Sequence, residues 1–269
     1  MSKQKGLSRR HIRSLRQQGV VDIETAHFTK KFEPRKIKPK TEAQEQVIES
    51  YNNKQNIFLF GSAGTGKTFL STYLAMRDVL SGNYQKLVIV RSVVPTRDVG
   101  FLPGKLDEKV SVYEQPYQQV CADLFGRKDA YDLLKKQMKI EFLPTSFIRG
   151  TTLDNCIVLI EEVQNMTEHE ISSVATRLGY NSRLLVCGDN KQSDLVKEDS
   201  GFFKLLHIFN SMKSVDLVEF THEDIVRSGF VKEFIIASEN IDASVQQETG
   251  YSTRSGESYY KREAPLQAI

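Results

Sequence analysis

From residue 41 onward the chain alternates short apolar runs with longer stretches of helical periodicity. Six runs, at residues 57–60, 87–90, 140–143, 157–160, 184–187 and 215–220, are rich in Ile, Val, Leu and Phe. Where such runs are continuous rather than alternating, they fit strands covered on both faces. Between them the pattern predicts helices near 42–52, 67–81, 106–124, 128–138, 168–178, 200–211 and 229–237. Strands and helices in regular succession predict an α/β domain built on a mainly parallel sheet. Two helix starts carry capping-box spacing, Thr41-x-x-Gln44 and Thr167-x-x-Glu170. The second sets Ile171, Val174, Ala175 and Leu178 on one face of its helix.

The flanks follow a different pattern. Residues 1–40 are broken by Gly6, Gly19, Pro34 and Pro39 and hold at most one short helix, near 8–18. Beyond Asn240 the chain turns polar and loses periodicity, which predicts a disordered tail. The expected organisation is an arm at 1–40, a domain at 41–240 and a tail at 241–269. Tyr251, Tyr259 and Tyr260 in the tail either stack on nucleobases or have no role.

Composition refines this picture in three places. The 269 residues suit one or two domains with a sizeable core. The formal charge of +3 hides an asymmetry: residues 1–40 carry 12 Lys/Arg against 3 Asp/Glu, and the remainder 25 against 31. A basic arm on an acidic body points to a polyanion, nucleic acid first, or to no more than a solvated tail. Cys121, Cys156 and Cys187 show no C-x-x-C spacing, and the last two lie in strand-like runs, so they read as buried thiols of a reducing compartment. No apolar run reaches the roughly 18 residues of a membrane span, and the N-terminus has no apolar signal core. The expectation is a soluble, cytoplasmic protein with no membrane partner.

Candidate chemistry begins at Gly61-Ser62-Ala63-Gly64-Thr65-Gly66-Lys67-Thr68, which matches G-x-x-x-x-G-K-[ST] at every fixed position. It follows a predicted strand and opens the apolar helix that starts at Phe69, the order a phosphate loop requires. Glycines let backbone N–H groups close around phosphates, and the helix N-terminus adds partial positive charge. Lys67 is expected on the β- and γ-phosphates of ATP, and the Thr68 hydroxyl on Mg²⁺. Gln44 upstream has two compatible readings, a helix cap and a two-point amide contact to adenine.

A phosphate loop also needs an acid at a neighbouring strand end. The stretch 158–165, VLIEEVQN, is the one strand end with two adjacent acids. Glu161 is read as the carboxylate supporting Mg²⁺, and Glu162 as the residue that activates water. The next strand runs into Gly188-Asp189-Asn190-Lys191-Gln192. This G-D-x-x-Q resembles motif III of superfamily-1 helicases, in which the glutamine senses the γ-phosphate; that role falls to Gln192.

Together these motifs resemble the PhoH-like (phosphate-starvation-inducible) ATPase family, and most of all its compact phage-encoded forms. The resemblance covers roughly residues 41–237. It rests on GSAGTGKT at 61–68, GFLPG at 100–104, RGTTL at 149–153, EEVQN at 161–165, TRLG at 176–179, GDNKQ at 188–192 and DIVR at 224–227. It implies a RecA-like core related to the first motor domain of superfamily-1 helicases. It further implies ATP binding and hydrolysis, single-stranded RNA or DNA as partner, and a ring-like homo-oligomer such as a hexamer. Glu161 departs from the family's usual Asp, which moves the carboxylate out by roughly 1.5 Å. The region outside the core is too short for a PIN nuclease domain.

One RecA-like domain leaves the site short of an arginine. Arg177 and Arg227 are the candidates, from a neighbouring subunit or, for Arg227, from its own. Arg91 follows the second strand, where related helicases touch the nucleic-acid backbone, and Arg97 and GFLPG are near enough to join that surface or a subunit interface. Two other functions remain open: a nucleotide-gated regulatory module with weak ATPase activity, and a nuclease modulated by ATP.

Overall fold

A computed structural model describes residues 32–93, 106–189 and 200–248. Its centre is a six-stranded, all-parallel sheet: β1 (Asn56–Gly61), β2 (Lys86–Arg91), β3 (Ile140–Pro144), β4 (Cys156–Glu161), β5 (Arg183–Gly188) and β6 (Val215–Phe220), in the order β3-β2-β4-β5-β1-β6. All six expected strands are present. Every position of β4 and β5 is buried, whereas edge strand β3 alternates buried with partly exposed positions and edge strand β6 mixes buried, partly exposed and exposed ones.

Successive β1 residues feed opposite layers. Ile57 and Leu59 pack under α1 (Glu42–Asn52), α2 (Lys67–Leu80), α3 (Leu106–Phe125) and α4 (Ala130–Lys136), with Tyr51, Leu74, Tyr117 and Tyr131. Phe58 and Phe60 meet the other layer, α5 (Glu168–Ala175) and α6 (Phe202–Asn210), through Ile171, Val174, Phe202 and Phe209. The result is a three-layer α/β/α core. The crossovers place the C-terminal ends of β1, β4 and β5 side by side, where ligands bind in open parallel sheets.

Both predicted caps form, one with a difference. Thr167 and Glu170 make the full reciprocal box. Thr41 accepts the Gln44 N–H, but the Gln44 amide oxygen takes the Lys40 N–H instead of the Thr41 one. Helix α5 ends at Ala175 because Leu178 turns away to bridge Leu153 beside the start of β4. The last helix, α7 (Gly229–Glu248), runs past the expected residue 237; no Gly or Pro interrupts 238–248, and apolar periodicity alone could not reveal it. At the other end, residues 32–40 lie along α3: Phe32 stacks on Phe125 at 4.4 Å and Arg35 N–H donates to Leu124 O at 2.8 Å. Residues 1–31 and 249–269, the bulk of the expected arm and tail, lie outside the described residues.

Candidate nucleotide site

The loop between β1 and α2 is shaped by three glycines at positive φ: Gly61 (111°), Gly64 (72°) and Gly66 (86°). A Cβ on Gly61 would lie 2.0 Å from the Phe220 carbonyl oxygen, so β6 forces glycine there. Gly66 begins α2 without a side-chain cap, leaving the first N–H groups of that helix to an anion. The loop floors a cleft of about 590 Å³ whose wall includes Gln44, Ala63, Gly64, Lys67, Thr68, Phe69, Glu161, Glu162, Asp189 and Arg227.

Within the cleft Lys67 Nζ lies 2.8 Å from both the Gly61 and Ser62 carbonyl oxygens and 3.4 Å from Thr65 Oγ1. Burial draws its ammonium below the usual lysine range, against the pull of nearby Asp189 and Glu161. Thr68 Oγ1 donates to Glu161 Oε2 at 2.8 Å, joining β1's loop to the end of β4. Glu161 is 3% exposed, and its Oε1 has no hydrogen-bond partner. Burial pushes this carboxyl up to about 7; the neighbouring Glu162 charge adds to the rise and the Thr68 hydrogen bond opposes it. A buried carboxylate with an idle oxygen beside a threonine hydroxyl is an anionic donor pair suited to a hard divalent cation. Among the described residues no group of three His, Cys, Asp or Glu could hold a metal alone.

Glu162 adopts the left-handed backbone conformation, φ 53°, unusual for a non-glycine residue. Its Oε2 accepts a 2.5 Å hydrogen bond from Gln164 Nε2. Gln44 is buried at the cleft wall; its Nε2 donates to Thr65 O at 2.9 Å and its Oε1 accepts from Lys40 N at 2.9 Å. Its amide therefore braces the phosphate loop, and these two bonds use one of its two N–H groups and one of its two lone pairs.

The candidate arginines separate. Arg227 stands at the loop: a Cβ on Gly64 would meet its Cγ at 2.9 Å, and Val226 N–H donates to Gly64 O at 3.1 Å. Arg177 is at the opposite pole, where its carbonyl accepts the Leu153 N–H just before β4 begins. The six residues of β4, roughly 20 Å at about 3.3 Å each, separate it from its own cleft. Arg91 ends β2 in register with Glu161, half-buried, its guanidinium 5.8 Å from the Tyr113 ring centre. Gln192, Arg97 and GFLPG lie outside the described residues.

Two contributions escaped the motifs. Helix α3 walls the cleft with Pro116, Gln119, Val120 and Asp123, and residues 37–38 add Ile37 and Lys38. No local pattern marks these, because they reach the cleft only through tertiary packing. Gln164, 1% exposed, ties Glu162 to β5; its place in EEVQN was the available signal.

Strand, glycine loop, helix N-terminus and a strand-end acid in contact with the loop threonine define a P-loop nucleotide-binding α/β domain. The chain belongs to the PhoH-like protein family, whose model matches residues 36–239. It is 32% identical over 212 residues to a PhoH-like protein of Bacillus subtilis (strain 168), covering 78% of this chain and 66% of that one. It is 34% identical over 221 residues to Protein PhoH of Escherichia coli (strain K12), covering 81% and 62%. The chain thus spans less than two thirds of the length of these curated relatives, 66% and 62%. Among solved structures, unliganded Pif1 from Bacteroides sp is similar at 15% identity and TM-score 0.34, over 72% of this chain and 43% of that chain. No helix among the described residues is long and apolar enough to cross a membrane.

Proposed function

We propose that this protein is a Mg²⁺-dependent ATPase whose hydrolysis is coupled to single-stranded RNA or DNA and completed by a neighbouring subunit. The observation that carries the reading is the convergence of Lys67, Thr68, Glu161 and Glu162 on one cleft, with Thr68 and Glu161 in direct contact.

The loop N–H groups and Lys67 bind the β- and γ-phosphates. Thr68 and Glu161 are the residues that would hold Mg²⁺, which when bound neutralises charge between those phosphates. Glu162 orients a water against the γ-phosphorus and takes its proton as the new P–O bond forms. The bond to the β–γ bridging oxygen breaks, leaving ADP and inorganic phosphate. Arg227, beside Gly64, offers a cation to the transferring phosphoryl from its own subunit.

Arg177 can serve a nucleotide only in trans, because it lies a strand's length from its own cleft. An apolar stripe on α7, Phe230 (77% exposed), Phe234 (65%) and Ile241 (62%), supports subunit contact. The basic charge of residues 1–40 supports a nucleic-acid partner. The left-handed Glu162 and the longer Glu161 favour one second reading, a nucleotide-gated regulatory module that turns over slowly.

ATP hydrolysis measured with and without single-stranded RNA or DNA, together with strand displacement, separates these. Stimulated hydrolysis with unwinding is the expected result. Hydrolysis indifferent to both polymers would establish the regulatory module, and degradation of the polymer a nuclease. In mixed oligomers, R177A subunits should depress the turnover of wild-type neighbours; strictly proportional activity removes Arg177 from the site.

A further inference from the structure

Gln164 is buried, and both faces of its amide are engaged at once. The Asp189 N–H can only donate, so the atom it meets at 3.0 Å is the amide oxygen. That orientation turns the amine toward Glu162, where Nε2 donates to Oε2 at 2.5 Å. The main chain of the same short turn holds more of this region. Ser200 Oγ donates to Gln164 O at 2.9 Å, and Gly201 N–H donates to Met166 O at 2.9 Å. One side chain thus joins the proposed water-activating carboxylate to the end of β5, while its backbone anchors the entry to α6. Gly188 fits the same junction: a Cβ there would stand 2.6 Å from Val163 Cγ1 and 3.4 Å from Gln164 Oε1.

Glu162 needs such a support. It sits in the left-handed region, which a glutamate does not favour, and follows the last residue of β4. Beyond its own backbone, the hydrogen bond from Gln164 fixes where its carboxylate points. A side chain that must orient a water loses rate steeply when displaced; about 1 Å can cost on the order of a hundredfold.

We infer that Gln164 is a positioning residue for hydrolysis, holding the Glu162 carboxylate in line by tying it to the backbone of Asp189. The inference rests on the reading of Glu162 as the group that activates water. It predicts a loss in kcat without a loss in nucleotide binding, since Gln164 is absent from the wall of the cleft.

The test uses the full chain carrying Q164M, which keeps the length and removes both hydrogen bonds, and Q164E, which keeps the shape and removes the donor. For each, Mg²⁺-ATP turnover and the Kd of a fluorescent ATP analogue are measured, alone and in an E162Q background by single-turnover assay. The expected result is a kcat lower by about ten- to a hundredfold in both variants, with KM and Kd within about twofold. In the E162Q background, Q164M should add no further loss, because the group it positions is already gone. Equal losses in both backgrounds, unchanged kcat in Q164M, or nucleotide binding lost along with kcat would each overturn the inference and leave Gln164 a packing residue. Normal turnover in E162Q alone would instead remove the Glu162 reading on which it stands.

Discussion

Among the described residues, two places pair a threonine hydroxyl with a glutamate carboxylate, and they are opposites. At the start of α5, Glu170 accepts from Thr167 N and Oγ1, Ser92 Oγ and Thr145 Oγ1. Burial would raise this carboxyl, but the hydrogen bonds from Thr145, Thr167 and Ser92 hold it below its usual value. At the mouth of the cleft, Glu161 is more deeply buried yet accepts from Thr68 through one oxygen while the other has no partner. The chain satisfies the first carboxylate and leaves the second short. The first is a rivet between the ends of β2, β3 and the α5 turn; the second is the oxygen donor that the proposed function assigns to Mg²⁺.

Mutating each pair tests this difference. The largest effect belongs to the cleft: T68A and E161Q should each lower Mg²⁺-dependent ATP turnover by roughly a hundredfold or more. Titrating Mg²⁺ against turnover would refute this if either variant kept the wild-type dependence. Second, E170A should leave nucleotide affinity intact but cost about 1–3 kcal/mol in urea unfolding, because it strands hydroxyl and N–H donors. Third, T167A should cost about 1 kcal/mol in the same measurement, the worth of a helix cap. E161Q should instead leave the nucleotide-free protein as stable as wild type or more so, since it removes a buried charge; a loss like that of E170A would erase the contrast.

The smallest effect is in pH. Glu170's folded pKa is depressed, so its contribution is present above the unfolded pKa and lost as pH falls through the folded one. The stability gap between wild type and E170Q should therefore narrow on acidification below the usual carboxylate value of 4.5. A gap that stays constant from neutral pH to pH 3 would place the stabilisation elsewhere.

The same contrast explains what could be read without coordinates. Strands β1, β2, β4 and β5 announce themselves because burial on both faces leaves no room for polar residues. The phosphate loop and the acid pair follow from chemistry that tolerates few residue types at fixed spacing. The Thr167–Glu170 box is local, so three residues of spacing suffice to find it. By contrast, the opposite fates of Arg177 and Arg227 depend on where loops land at the two ends of the sheet, 50 residues apart in sequence. The share of α3 in the cleft, Gln44's turn toward Lys40 and Thr65, and Gln164's grip on Asp189 are tertiary facts with no periodicity. The second half of α7 is polar in sequence and carries no apolar periodicity to mark it.

Gly61 has a further consequence, in the order in which the protein is made. Its β1 segment pairs with β6, Ser62 N–H donates to Phe220 O, and Val226 N–H braces Gly64 O. All three partners emerge from the ribosome roughly 160 residues after the loop they shape. A nascent chain that has released its whole phosphate-loop sequence still lacks the edge strand that gives the loop its form. Nucleotide binding is therefore a property of the finished domain, and chains released early should not compete for ATP.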